Sequence, residues 1–343
     1  HTVHTHCAAE RGDDGEPSPS RCDSIDQGLS CPKGRWCESH VPSWETRLVG
    51  GSRGDSSEDP VNLPLHFTTR SFLVAYGRLR GEMTSHGYPV HTARWQGIDI
   101  SKRPEAEMCE LLMATVSTDL RGIETLKHWQ IECQPNLPWA DEHFAERVSG
   151  QPLNPPPSWV RWPWSNAADK SRVVDGGKFN HTYPERYWPK FAGDEDAGLH
   201  RGIRWEYGDL NDVIYLLMKE PDTRQAYLPI FFPEDTGVGD GGRKPCTLGY
   251  QFIVRDQRLH CYYPMRSCDL MRHYRDDVYL TVRLMLWVLD QCRRQSDIQP
   301  GPNVWDNIKP GTLTMHMTSL HCFVNDLRVF KQEENAALNA ALS

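Results

Sequence analysis

The stretch of the 343-residue chain with the clearest chemical promise is KPCTLGYQFIV. Cys246 stands there at the mouth of a strand-like run, directly after a Gly-rich and basic loop, GVGDGGRK, where positive charge suits a thiol nucleophile. A lone cysteine is more commonly a buried structural residue. Its neighbours in sequence favour chemistry. Downstream, PMRSCDLMRHYRDDVY sets Arg266, Ser267 and Asp269 ahead of a second acidic pair, Asp276 and Asp277, at the start of a strongly apolar segment. Carboxylates entering such a segment are costly unless they are used. A guanidinium fork and a hydroxyl both match phosphate oxygens, so Arg266 and Ser267 fit a phosphate site. A local Arg266–Asp269 ion pair fits the same residues equally well.

These side chains need a rigid frame, and the second half of the chain predicts one. GDLNDVIYLLMKE reads as a helix, AYLPIFF and TLGYQFIVRD as strands, and RDQRLHCYY as a hairpin turning at Asp256 and Gln257. VYLTVRLMLWVLDQC is apolar nearly all round, which predicts a helix in the centre of the fold. TLTMHMTSLHCF follows as a further strand and KQEENAALNAALS as a surface helix. Upstream, PEAEMCELLMATVSTDL predicts a helix, with Pro104 at its first position and Met108, Leu111, Leu112 and Thr115 on one face. Prolines and tryptophans crowd the region from Gln134 to Trp164, which reads as an irregular insertion packed by aromatics. Together these elements predict an α/β fold.

Composition narrows the function classes. A hydrophobic content of 38% and a charged content of 24% are those of a globular protein, and a net charge of -8 argues against a nucleic-acid coat or an anionic-membrane binder. No apolar run has the length of a membrane span, and the polar start HTVHTHCAAERGDD lacks the apolar centre of a signal peptide, so a cytoplasmic location is expected. The 11 cysteines include no C-x-x-C pair and are expected to be free thiols. Residues 1–60 read as a flexible extension; their histidines and cysteines match no zinc spacing, so no metal is expected.

PDTRQAYLP, PCTLGYQFIV, RSCD and PGTLTMHMTSLHCF, in this order and at these separations, resemble the C-terminal two-thirds of thymidylate synthases. The resemblance spans about residues 98–328, with 121–178 as an unmatched insertion in a single catalytic domain from residue 61. It implies a mixed sheet around a buried helix, a homodimer, and a pyrimidine nucleotide and methylenetetrahydrofolate as substrates. It places Cys246 on the nucleophile, Gln251 on a strand glutamine, and Arg266, Ser267 and Asp269 on the cluster that meets phosphate and base. Arg224 falls on an arginine that reaches the neighbouring subunit's phosphate, Tyr183 on a catalytic tyrosine, and His321 on a histidine near the sugar. ISKRPEAEMCELLMATV resembles the stretch whose helix carries an active-site glutamate, which places that role on Glu110. Arg78 or Arg80 is the candidate for an upstream phosphate arginine.

Several positions depart from that pattern. Asp277 stands where an asparagine pairs with uracil, as in the related cytidylate hydroxymethylases, and a carboxylate there suits the cytosine amino group. Gln225 replaces a second intersubunit arginine, Thr247 a histidine beside the nucleophile, and Phe323 a tyrosine whose hydroxyl holds deoxyribose. The expected substrate is therefore CMP or dCMP and the expected reaction 5-hydroxymethylation, with the CMP hydroxymethylases of nucleoside-antibiotic pathways as the nearest resemblance. A thymidylate synthase or dUMP hydroxymethylase and a non-catalytic nucleotide-binding homologue are the alternatives.

Overall fold

In the computed structural model the described residues are 64–95, 98–103, 106–165, 177–192, 208–236, 243–296 and 303–332. The expected extension over residues 1–60, the loop at 237–242 and the terminal helix beyond 332 lie outside them.

A mixed sheet forms the frame. Its strands are β1 (His66–Thr69), β2 (Tyr88–Val90), β5 (Met108–Asp119), β6 (Tyr227–Pro229), β7 (Gly249–Arg255), β8 (Arg258–Asp269) and β9 (Lys309–Phe323), while β3 (Arg94–Trp95) and β4 (Ile98–Asp99) pair separately. The order is β1-β5-β9-β8-β7-β6, with β2 also on β5. β1 with β5 and β8 with β9 are parallel; the other pairs in this sheet are antiparallel. β7 and β8 form the expected hairpin: Arg255 faces Arg258, and Asp256 and Gln257 both take left-handed φ, 51° and 55°. That is the geometry of a two-residue turn matched to strand twist.

The helices are α1 (Phe72–His86), α2 (Leu126–Cys133), α3 (Trp139–Arg147), α4 (Tyr183–Tyr187), α5 (Leu210–Lys219) and α6 (Tyr274–Ser296). α5 forms where the sequence predicts a helix, and Asp209 and Asp212 start it with a reciprocal capping box. α6 is the central helix: Val278, Leu280, Val282, Leu284, Met285, Val288 and Leu289 are each at most 3% exposed, worth about 1.5–3 kcal/mol apiece relative to exposure. It packs on β8 and β9 and on α2, α3 and α5.

The expected helix at PEAEMCELLMATVSTDL is instead the strand β5, from Met108. Met113 takes a left-handed φ of 56°, leaving Leu112 and Met113 both exposed in mid-strand. That break in alternation made Met108, Leu111, Leu112 and Thr115 imitate a helical stripe. The β-branched residues Thr115, Val116 and Thr118 lie between β9 and β1, where both strand edges are satisfied. The Pro- and Trp-rich segment is also less irregular than expected, since it contains α3 and a 3-10 turn over Pro157–Arg161.

Candidate active site

A cleft of about 880 Å³, counted out to its mouth, opens between the sheet and the layer made by α3, α4 and the 3-10 turn. Cys246, Ser267, Asp269, Asp277 and Tyr183 line it together.

Cys246 is half-buried just before β7, where Thr247 bridges to Met265 of β8. Arg266 holds this turn. Its backbone N–H donates to the Cys246 carbonyl at 2.9 Å, and its guanidinium donates to the carbonyls of Pro245 at 2.7 Å and Lys244 at 2.9 Å. Nη2 lies 3.9 Å from the Cys246 sulfur. The alternative Arg266–Asp269 pairing is not formed. Asp269 instead accepts the backbone N–H groups of Met271 and Arg272 through Oδ1, while its buried Oδ2 has no hydrogen-bond partner among the described residues.

Two carboxyls in this cleft are shifted. Burial pushes Asp269 up to about 7, against the pull of the Arg272 amide and charge. Burial also pushes Asp277 up to about 7, opposed by the charge of Arg147 and assisted by Asp276. Cys268 Sγ donates to Asp277 Oδ2 at 3.8 Å. The neighbouring Asp276 is structural. It accepts both the backbone N–H of Asn136 at 2.8 Å and the Asn136 side-chain amide at 2.6 Å, anchoring the turn that leads to α3.

Tyr183 begins α4, which a Thr182–Glu185 capping box starts and a buried bidentate Arg186–Asp235 pair at 2.9 and 3.0 Å ties down. The Tyr183 hydroxyl meets Thr247 Oγ1 at 3.0 Å, and Thr247 continues to the Tyr263 hydroxyl at 2.9 Å. Burial, reinforced by Cys246, pushes Tyr183 up to about 12, so it stays a neutral phenol near pH 7. Thr247, next to Cys246 in the chain, is thus a link in a hydroxyl chain from Tyr183 to Tyr263.

Other expected site residues lie outside the cleft lining. Arg224 is exposed, and its carbonyl accepts from Gln251 Nε2 at 3.0 Å. His321 meets Ser267 Oγ at 3.3 Å through Nδ1 and is driven down to about 4 by burial. Arg78 lies over the Phe67 ring at 4.4 Å and Arg80 over Phe330 at 3.4 Å; neither lines the cleft. Glu110 sits on β5 opposite His321 and accepts from Ser319 Oγ at 2.6 Å, also outside the lining. Its expected role depended on a helix that the chain does not form there.

The expected insertion supplies the facing wall: Trp139, His143, Arg147, Trp159 and Trp162 all line the cleft. Arg147 is buried, with its guanidinium 4.1 Å over the Tyr183 ring. The sequence reading missed His143 and Arg147, although His143, Glu146 and Arg147 in WADEHFAER stand at the spacing of one helix face. The wall is aromatic but not flat, Trp139 and Trp162 being tilted by 47° and Trp159 meeting Phe179 edge-on.

Residues 157–333, more than half of the chain, match the family model for thymidylate synthase. The chain belongs to the thymidylate synthase family. A member of this family is a one-carbon transferase that uses methylenetetrahydrofolate and a pyrimidine nucleotide. The match starts inside the expected insertion, so α1 to α3 precede it, although α3 contributes directly to the cleft of this thymidylate synthase relative. Among the described residues no group of three or more His, Cys, Asp or Glu side chains stands together as a metal site, and no helix is long and apolar enough to cross a membrane.

Proposed function

We propose that this chain is a cytidylate 5-hydroxymethylase, acting on CMP or dCMP, and that Asp277 is the residue that selects cytosine. The supporting observation is that the Asp277 carboxyl lines the same cleft as Cys246, with burial raising it to about 7. Near neutral pH such a group is available in its protonated form, which donates to the cytosine ring nitrogen while its other oxygen accepts from the amino group. Uracil offers a carbonyl and an N–H at those positions and matches neither oxygen in that arrangement.

Addition of the Cys246 thiolate to C6 makes C5 nucleophilic. Methylenetetrahydrofolate supplies the one-carbon unit to C5. Tyr183 and Thr247 provide the hydroxyl chain beside the C5 edge; loss of the C5 proton, with departure of tetrahydrofolate from the transferred carbon, leaves an exocyclic methylene group. A synthase ends this sequence with hydride, and a hydroxymethylase ends it with water. Arg224, exposed on the frame, is proposed to reach the phosphate of a second copy in a cytoplasmic homodimer.

Incubating the protein with CMP, dCMP or dUMP and methylenetetrahydrofolate, followed by mass analysis, tests the substrate and the reaction together. A 5-hydroxymethyl cytidine nucleotide and tetrahydrofolate are expected; a thymidine nucleotide with dihydrofolate would identify a synthase instead. Mixing Arg224→Ala chains with Cys246→Ser chains should restore activity to sites that combine one intact group from each. No restoration after verified subunit exchange would remove the shared site.

A further inference from the structure

The layer facing the nucleophile holds an acid–base pair that the covalent step does not use. His143 of α3 is 7% exposed and lines the same cleft as Cys246 and Tyr183. Its ring stacks on Trp139, with centroids 5.1 Å apart and planes 14° apart, and meets the Tyr183 ring edge-on at 6.3 Å. Nδ1 lies 3.4 Å from Oε2 of Glu146, one helical turn away. Glu146 accepts the backbone N–H of Ser158 at 2.6 Å and its hydroxyl at 2.5 Å. Burial opposes the Glu146 charge, but the bonds from His143 and Ser158 outweigh it and hold the carboxyl below its usual range. A carboxylate kept ionised at Nδ1 fixes the imidazole tautomer and makes Nε2 the basic nitrogen.

We infer that His143 is the base for the water that completes the reaction, with Glu146 as its positioning residue; this rests on the hydroxymethylase reading above. The water oxygen bonds to the exocyclic methylene carbon, and one water proton passes to Nε2 of His143. The electron pair of the methylene double bond moves into the ring between C5 and C4. Its return forms the C5–C6 double bond and breaks the C6–sulfur bond, releasing Cys246 as a thiolate. The proton gained by His143 balances that charge, and its return to solvent or sulfur resets the site.

Full-length wild type, His143→Gln and Glu146→Gln would be given a cytidine nucleotide tritiated at C5 together with methylenetetrahydrofolate. Tritium release reports every step up to the methylene, and hydroxymethyl product reports the water step. His143→Gln is expected to release tritium within about fivefold of wild type while forming product about 10²-fold more slowly, the usual scale of a lost general base. Added 2-mercaptoethanol should capture its methylene as a 5-thioether. Glu146→Gln should show the same split at about tenfold, with nucleotide KM unchanged; it carries the test if His143→Gln fails to fold. Tritium release and product falling together, or product unchanged in either folded variant, would overturn the role of His143. Absence of hydroxymethyl product from wild type would overturn the hydroxymethylase reading and this inference with it, whereas a competent His143→Gln overturns the inference alone.

Discussion

The two walls of the cleft hold their functional groups by different means. On the sheet side, Cys246, Ser267 and Asp269 belong to β8 or to the turn bridged to it, so ladder hydrogen bonds set their spacing. On the opposite side, Tyr183, His143 and Arg147 sit on two short helices with few turns of their own. They are held by side-chain devices: the buried Arg186–Asp235 pair, the Asp276 clamp on Asn136, and the bond from Tyr279 to Asp141 at 2.7 Å. A strand register shifts only by whole residues, whereas a helix held by polar clamps can be retuned by one substitution. On this reading, the sheet wall carries the chemistry common to the family and the helical wall decides how the intermediate ends.

Substitutions on each wall should therefore stop the reaction at different places. The largest effect is expected on the sheet wall: Cys246→Ser should lower turnover by about 10³-fold or more, since a hydroxyl is a far poorer nucleophile than a thiolate, and should abolish tritium release as well as product. Nucleotide binding, read by calorimetry, should remain. Retained tritium release would place the nucleophile elsewhere and erase the contrast with His143.

Asp277 lies where the two walls meet, half-buried on α6 and under the charge of Arg147. An amide at this position presents the complement of uracil, so Asp277→Asn should lower the ratio of kcat/KM for cytosine over uracil nucleotides by roughly 10- to 100-fold, the worth of about 1–3 kcal/mol for a bidentate base contact. If Asp277 served only the start of α6, the ratio would not move.

The same residue should also affect stability. A carboxyl raised to about 7 when folded binds protons that the unfolded chain has released, so its contribution falls as pH rises from the unfolded value of about 4 through 7. Wild type should therefore lose stability relative to Asp277→Asn across that window, by about 1 kcal/mol per pH unit. Parallel melting curves for the two proteins across pH 4–7 would show that the carboxyl is not perturbed.

Legibility followed the same division. The hairpin at Asp256 and Gln257, the helix α5 and the all-round apolar α6 declare themselves locally, because each is a pattern of adjacent residues whose conformation or burial has one economical solution. The motif order around Cys246, Arg266 and Asp277 was readable for the same reason. β5 was not, because a single left-handed residue, Met113, turned strand alternation into an apparent helical stripe, and only pairing with β9, β1 and β2 resolves it.

By itself, then, the sequence determined the α/β class and the family, and it supplied the proposed nucleophile, Cys246, and the carboxylate proposed to select cytosine, Asp277. Only the tertiary structure decided that Glu110 lies on a strand bonded to Ser319, that Arg266 braces the Cys246 turn instead of pairing with Asp269, and that His143 and Arg147 line the same cleft as Cys246. The physical reason is distance along the chain. His143 and Cys246 approach the same cleft from segments far apart in sequence, through clamps such as Asp276–Asn136 whose partners carry no local signature.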